Sequence, residues 1–300
     1  GAREFAERIR DRLNAFRFVS RRKSFFVGVS CGVVPFGQGH QANVASLMHA
    51  AEVACDAAKE AGRNQVTVVD LDSTEVVART SEVRWVGRIQ EALDRDRFVL
   101  YQQPIVSSRP DPSHGNHYEV LLRLRDEDGS IVPPGAFVPA AERYGLVRQI
   151  DEWVVSSTLD WLRANPVHTS RLELVSINLS GRSLASAEFL DFLLGALDGA
   201  PVEKICFEVT ETAAVGDLAS AASFIERVRA LGCSFSLDDF GSGLSSFGYL
   251  KNLPVDYLKI DGSLIRNIAE DREDFAMVRS IVELARTLGK RTVAEFVEND

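Results

Sequence analysis

Two adjacent carboxylates, Asp238 and Asp239, close the apolar run SFSLDDF; Gly241, Ser242 and Gly243 follow, and Lys259 stands among hydrophobic residues in the next such run, VDYLKID. Side chains alternate along a strand, so neighbouring acids converge on one site only where the strand is ending and the chain turning. Gly241 and Gly243 permit such a turn. Burying two acids and a lysine is unfavourable unless each is paired or coordinates an ion, and a metal site would account for the arrangement.

Other strand-like runs carry polar residues in the same manner. In YEVLLRL, Glu119, Leu121 and Arg123 share a face, and in LELVSINLS, Asn178 shares one with Ser176 and Ser180. In KICFEVTET, Glu208 and Thr210 oppose Phe207 and Val209, with Glu211 at the run's end, and TVAEFVE supplies Glu295. Carboxylate and amide oxygens are hard ligands, so Glu119, Asn178, Glu208, Asp238 and Asp239 suit two Mg²⁺ or Mn²⁺ ions better than Zn²⁺. Two such ions roughly 3.5–4 Å apart, bridged by a carboxylate such as Asp238, would activate water and polarise a phosphodiester. Lys259 and Glu295 could orient or deprotonate that water. Taken singly, each position has an ordinary reading: a solvated strand residue, a lysine snorkelling outward, an arginine in a surface ion pair. Their joint placement at successive strand ends is what those readings leave unexplained. His40, His49, His114, His117 and His168 are read as dispersed in helices and loops, and Phe240, Phe247 and Tyr249 as packing in or under the glycine loop.

The elements that must position these groups alternate. Strand-like runs fall at 98–105, 118–124, 172–179, 204–210, 234–239, 256–261 and 291–297, with amphipathic stretches at 151–164, 184–197, 217–231 and 273–289. Repeated strand and helix imply an α/β fold with a parallel sheet. The segment VSSRPDPSHGNH is too short for a crossover helix, so the first two strands should be antiparallel. Seven strands are one short of a closed (β/α)8 barrel, and the eighth is expected to lie beyond this chain. Upstream, residues 1–20 read as a helix, 24–34 as a strand, Val44 to AGRN as a helix, 65–70 as a short strand and 71–97 as a helical linker.

Composition sets the outer limits. The 300 residues are 45% hydrophobic, enough for a sizeable core, and the net charge of −9 argues against DNA, RNA or membrane-surface binding. The four cysteines show no metal or disulfide spacing. There is no apolar run of transmembrane length, so this segment is expected in the cytoplasm, with a membrane anchor possible upstream.

From about residue 82 to 300 the chain resembles an EAL domain, the cyclic di-GMP phosphodiesterase family. The match rests on Glu119-Val-Leu-Leu-Arg123, SINLS around Asn178, FEVTET with Glu208 and Glu211, DDFGSGLSS from Asp238, LKID with Lys259, and VAEFVE with Glu295 and Glu298. Residues 48–66, ending in AKEAGRNQV, are similar to the C-terminal part of a GGDEF domain. The resemblance implies three parts: a GGDEF-like fragment at 1–70, a helical linker at 71–97, and a modified TIM barrel with an antiparallel first strand at 98–300. It makes Glu119, Asn178, Glu208, Asp238 and Asp239 metal ligands and Glu295 the general base. Lys259 would hold the catalytic water or a phosphate oxygen, and Gln103, Leu121 and Arg123 would meet the substrate. Glu211 would anchor the loop of Gly241, Ser242 and Gly243, with Glu298 grouped beside it. The implied reaction opens cyclic di-GMP to linear pGpG; a homodimer and an upstream sensory region are implied too. Departures are Val120 for alanine, Phe296 for glycine and Leu244 for an aromatic residue, and a glutamine beyond the seventh strand is outside the chain. The rival readings are a non-catalytic cyclic di-GMP receptor and an unrelated two-metal barrel phosphohydrolase.

Overall fold

A computed structural model describes residues 1–20, 23–26, 28–36, 44–70, 85–108, 115–242 and 247–297. The chain divides into two compact units, Gly1–Arg88 and Ile89–Asp300, a division that falls inside the segment 71–97 expected to be a linker.

In the first unit the helix Ala2–Ala15 leads into β1 (Arg17–Ser20), which pairs antiparallel with β2 (Lys23–Phe26). β3 (Cys31–Val33) and β4 (Val66–Val68) pair in parallel, joined through the helix Val44–Glu60. The single strand expected at 24–34 is thus two, and the first helix ends before residue 20. A small core of Ala50, Val53, Ala54 and Val69 seats the helix. Gly32 lets it sit close, since a Cβ there would meet the backbone of Ala51 and Cys55.

The second unit carries the chemistry. After helical residues 85–94 come β5 (Phe98–Pro104), β6 (Asn116–Arg125), β7 (Ile131–Val132), β8 (Leu172–Asn178), β9 (Ile205–Thr210), β10 (Ser234–Phe240), β11 (Tyr257–Ile260) and β12 (Arg291–Ala294). They form one sheet in the order β12-β11-β10-β9-β8-β6-β5, with β7 paired on β6. β5 and β7 each pair antiparallel with β6, and the successive pairings β6-β8-β9-β10-β11-β12 are parallel. Expected strand positions hold to within a few residues, except that 291–297 stops at Ala294.

The sheet is strongly curved. Strands lie roughly 4.8 Å apart, so in a flat sheet β6 and β11, separated by three strands, would stand close to 20 Å apart. Lys259 Nζ on β11 nevertheless reaches Glu119 Oε2 on β6 at 3.1 Å. Long helices, including Val147–Ala164, Leu218–Arg229 and Arg272–Thr287, cover the outside. There Phe207 and Phe235, both fully buried, pack with ring centroids 5.6 Å apart. The inner face is left to His117, Glu119, Ser176, Glu208, Ser236 and Lys259. Among the described residues no helix is long and apolar enough to cross a membrane.

Candidate active site

Lys259 is the hub. Its side chain is 3% exposed, and Nζ lies 2.6 Å from Glu208 Oε2, 2.9 Å from Glu295 Oε1, and 3.1 Å from both Glu119 Oε2 and Asp238 Oδ1. Asn178 Nδ2 donates to Glu119 Oε1 at 2.7 Å, tying the end of β8 to the same cluster. Register explains the gathering. In parallel pairings Glu119 stands opposite Ser176, Asn178 opposite Glu208, and Lys259 opposite Val293, two residues before Glu295.

Asp238 and Asp239 converge by a different device from the one expected. β10 does not end at the acids: it continues to Phe240, and its pairing with β11 slips by one residue between Leu237 and Phe240. Such a bulge leaves an extra residue and bends the strand. Asp239 is that bend, held in the left-handed region at φ 55°, and its N–H donates to Asp238 Oδ1 at 3.0 Å. The kink therefore sits at Asp239 itself, with Gly241 at φ 94° completing the turn after it. As a result Asp238, Asp239 and Glu295 each offer an oxygen, all within 4.8 Å of one another.

The electrostatics follow from five carboxylates around one ammonium. Burial alone would pull Lys259 down, but Glu208, Asp238 and Glu119 together push it well above the usual lysine range. A single ammonium does not satisfy every acid. Burial raises Glu208 to about 7 despite Lys259, with Glu119 and Asp238 adding to the rise. Burial likewise raises Glu295 to about 7, against Lys259 and with Asp238. Asp239 is also raised, by burial and then by Asp238. The formal charge is five minus one, an excess of four negative charges that two divalent cations would cancel. The donors are all oxygens, the set that Mg²⁺ or Mn²⁺ prefers.

The remaining expected residues fall around this cluster. Gln103 lies on β5 opposite Glu119, exposed, and Leu121 opposite Tyr101. Arg123 is further toward the mouth; its guanidinium donates to Leu122 O at 2.7 Å and lies 5.5 Å from the Tyr101 ring, outside the acid cluster. Glu211, buried at the start of the helix Glu211–Gly216, accepts from Gly241 N at 3.1 Å and from Tyr249 Oη at 2.5 Å. Tyr249 is thus a hydrogen-bonding partner of the loop rather than packing alone. Ser242 Oγ donates to Asp239 O at 2.9 Å. Gly243 and Glu298 lie outside the described residues. Glu295 stands one residue past β12, its N–H 3.3 Å from Ile260 O. Phe296 follows at φ 51°, its ring against Gly262 and 4.4 Å from the Arg266 guanidinium.

Two residues were missed. His117 is on β6, not in a loop, and sits 3.4 Å from Ser176 Oγ below the cluster; extending the alternation back from Glu119 would have placed it. Asp151 is a buried acid in the apolar stripe of the helix Val147–Ala164, and its break in that stripe was the available signal.

Comparison with known proteins agrees with this architecture. The EAL domain family model matches residues 86–300, and the chain belongs to that family. It is 39% identical over 281 residues to cyclic di-GMP phosphodiesterase PdeB of Shewanella oneidensis, covering 92% of this chain and 32% of that protein. It is 33% identical over 306 residues to the bifunctional diguanylate cyclase/cyclic di-GMP phosphodiesterase MucR of Pseudomonas aeruginosa, covering all of this chain and 43% of that protein. The chain therefore spans less than half of the length of these relatives. Among solved structures it resembles the PaMucR phosphodiesterase in complex with c-di-GMP, with TM-score 0.64 and 35% identity over 72% of this chain and 88% of that one. It also resembles the FimX EAL domain from Pseudomonas aeruginosa bound to c-di-GMP, with TM-score 0.65 and 30% identity over 72% of this chain and 86% of that one.

Proposed function

We propose that this chain hydrolyses one phosphodiester of cyclic di-GMP to give linear pGpG. The observation that carries the reading is the convergence of Glu119, Glu208, Asp238 and Glu295 on Lys259, with Asn178 and Asp239 alongside. Glu119, Asn178, Glu208, Asp238 and Asp239 are the residues that would hold Mg²⁺ or Mn²⁺. When bound, such ions supply Lewis-acid polarisation of a phosphoryl oxygen and a more acidic water.

The chain's own groups do the rest. Glu295 takes the proton of the attacking water at its carboxylate, and an affinity raised to about 7 suits a base working near neutrality. Lys259, charged throughout the neutral range, holds Glu208 and Glu295 in place and stabilises negative charge on the attacking oxygen. Gln103, Leu121 and Arg123 line the mouth beside and above Glu119, where the arginine's planar fork suits a phosphate once it leaves the Leu122 carbonyl. Glu211 fixes Gly241 and so the bend at Asp239, with Ser242 in the same turn; Gly243 and Glu298 are assigned a regulatory part beside it.

The same reading assigns residues 1–70 to the end of a GGDEF domain, 71–97 to a linker and 98–300 to a TIM-type barrel, working as a homodimer beneath an upstream sensory region. Incubation of the purified protein with cyclic di-GMP and Mg²⁺ or Mn²⁺, followed by chromatography of the nucleotides, tests the activity. Linear product is expected in either metal. Binding without turnover in both would reject the enzyme and leave a receptor.

A further inference from the structure

Asp151 is a buried carboxylate that the chemistry above does not use. It is 7% exposed and lies in the stripe formed by Val147, Ile150, Val154, Val155 and Leu159, where an apolar side chain would ordinarily stand. Its oxygens are occupied by the turn that follows β8. Oδ2 accepts from Ser180 N at 2.9 Å, and the nearby hydroxyls of Ser180 and Ser183 favour its ionised form. Ser180 Oγ in turn lies 3.2 Å from both Ser183 N and Ser183 Oγ, capping the helix Gly181–Leu184. A carboxylate buried against hydroxyls and one N–H is unfavourable relative to an aliphatic residue. What it holds in return is specific.

The turn is gripped from two further sides. Leu179 N donates to Glu208 O at 2.8 Å, and Gly181 packs so closely on the helix Glu211–Gly216 that a Cβ would stand 2.9 Å from Ala213 Cβ. The short segment between Asn178 and Ser183 is thus clamped by Asp151, by the end of β9 and by the helix that begins at Glu211. Asn178 is its first residue, and its amide is the group that reaches Glu119.

We infer that Asp151 is a positioning residue for Asn178: by clamping the Ser180 turn it aims the Asn178 amide into the carboxylate cluster. The inference rests on the reading of Asn178 as a metal ligand. Groups outside a coordination sphere that orient its ligands typically contribute roughly 10–100-fold to metal affinity.

Mn²⁺ binding measured by titration calorimetry on the intact chain, with melting temperature recorded in parallel, tests this. Asp151→Ala is expected to weaken Mn²⁺ binding roughly 10-fold. Asp151→Asn keeps an acceptor for Ser180 N and is expected to recover most of that loss. In an Asn178→Ala background, Asp151→Ala should weaken binding no further. Unchanged Mn²⁺ affinity in Asp151→Ala, with Asn178→Ala weakened, overturns the inference and leaves the metal reading standing. Unchanged affinity in Asn178→Ala removes both. If Asp151→Ala does not fold, Ser183→Ala decides, since it loosens the same turn by removing the hydroxyl that accepts from Ser180 Oγ: a weakening of about threefold is expected, and none overturns the inference.

Discussion

Lys259 Nζ lies 2.6 Å from Glu208 Oε2, with both side chains all but shielded from water. A buried ion pair of this kind contributes little net stability, but removing one partner strands the other and costs about 3–5 kcal/mol. Here the stranded partner is a set of carboxylates. Lys259→Met should lower stability by about that amount in urea denaturation, and added Mg²⁺ should restore more in the variant than in the parent. Equal denaturation midpoints without metal would contradict the hub role.

Glu295 touches Lys259 and shares space with Asp238 and Asp239, but no strand hydrogen bond depends on its carboxylate. Glu295→Gln should reduce kcat by roughly 10²–10⁴-fold and leave nucleotide affinity within a few-fold of the parent. Parallel loss of affinity, read by calorimetry, would move Glu295 from base to ligand.

Phe296 and Gly262 form a matched pair. Phe296 occupies the left-handed region, where glycine is the residue of least strain, and its ring fills the space a Cβ on Gly262 would need. Gly262→Ala should displace that ring and disturb the neighbouring Glu295, lowering turnover several-fold or more. Adding Phe296→Gly to Gly262→Ala should restore it, because glycine at 296 needs no seat and accepts the backbone. A double variant as impaired as Gly262→Ala alone would refute the coupling.

Asp151 predicts a pH effect on stability. Burial raises its affinity for a proton to about 6, opposed by its bonds to Ser180 and Ser183, while Glu142 adds to the rise. The native state then binds the proton more tightly than the unfolded chain, whose aspartates titrate near 3.9. The contribution is fully present below that value and is lost as pH rises through about 6. It amounts to about 3 kcal/mol at most. The stability of the parent minus that of Asp151→Asn should therefore fall between about pH 4 and pH 7. A pH-independent difference in urea denaturation would count against it.

Much of this arrangement was legible because strands carry their instructions locally. Alternation in YEVLLRL and LELVSINLS puts Glu119 and Asn178 on the inner face, and the short polar segment before Tyr118 forces the antiparallel start. Other features depend on partners far away in sequence. Nothing near Tyr249 announces Glu211, and nothing near Asp151 announces the Ser180 turn. The break between β2 and β3 was hidden because SFFVGVSCGVV reads as one apolar run, and apolarity alone does not mark where pairing changes partner.

The left-handed bend at Asp239 has a consequence for how such a centre is transplanted or mimicked. Because one residue of extra length in β10 brings two consecutive acids to the same side, the spacing of the Asp238 and Asp239 carboxylates is set by backbone torsion rather than by sheet pleat. Copying the two acids into a regular strand of another barrel would send one inward and the other into the helical layer. The portable unit is the dipeptide together with its bulge and the Glu211 carboxylate that holds Gly241, a three-part hinge in which sequence alone is the smallest part.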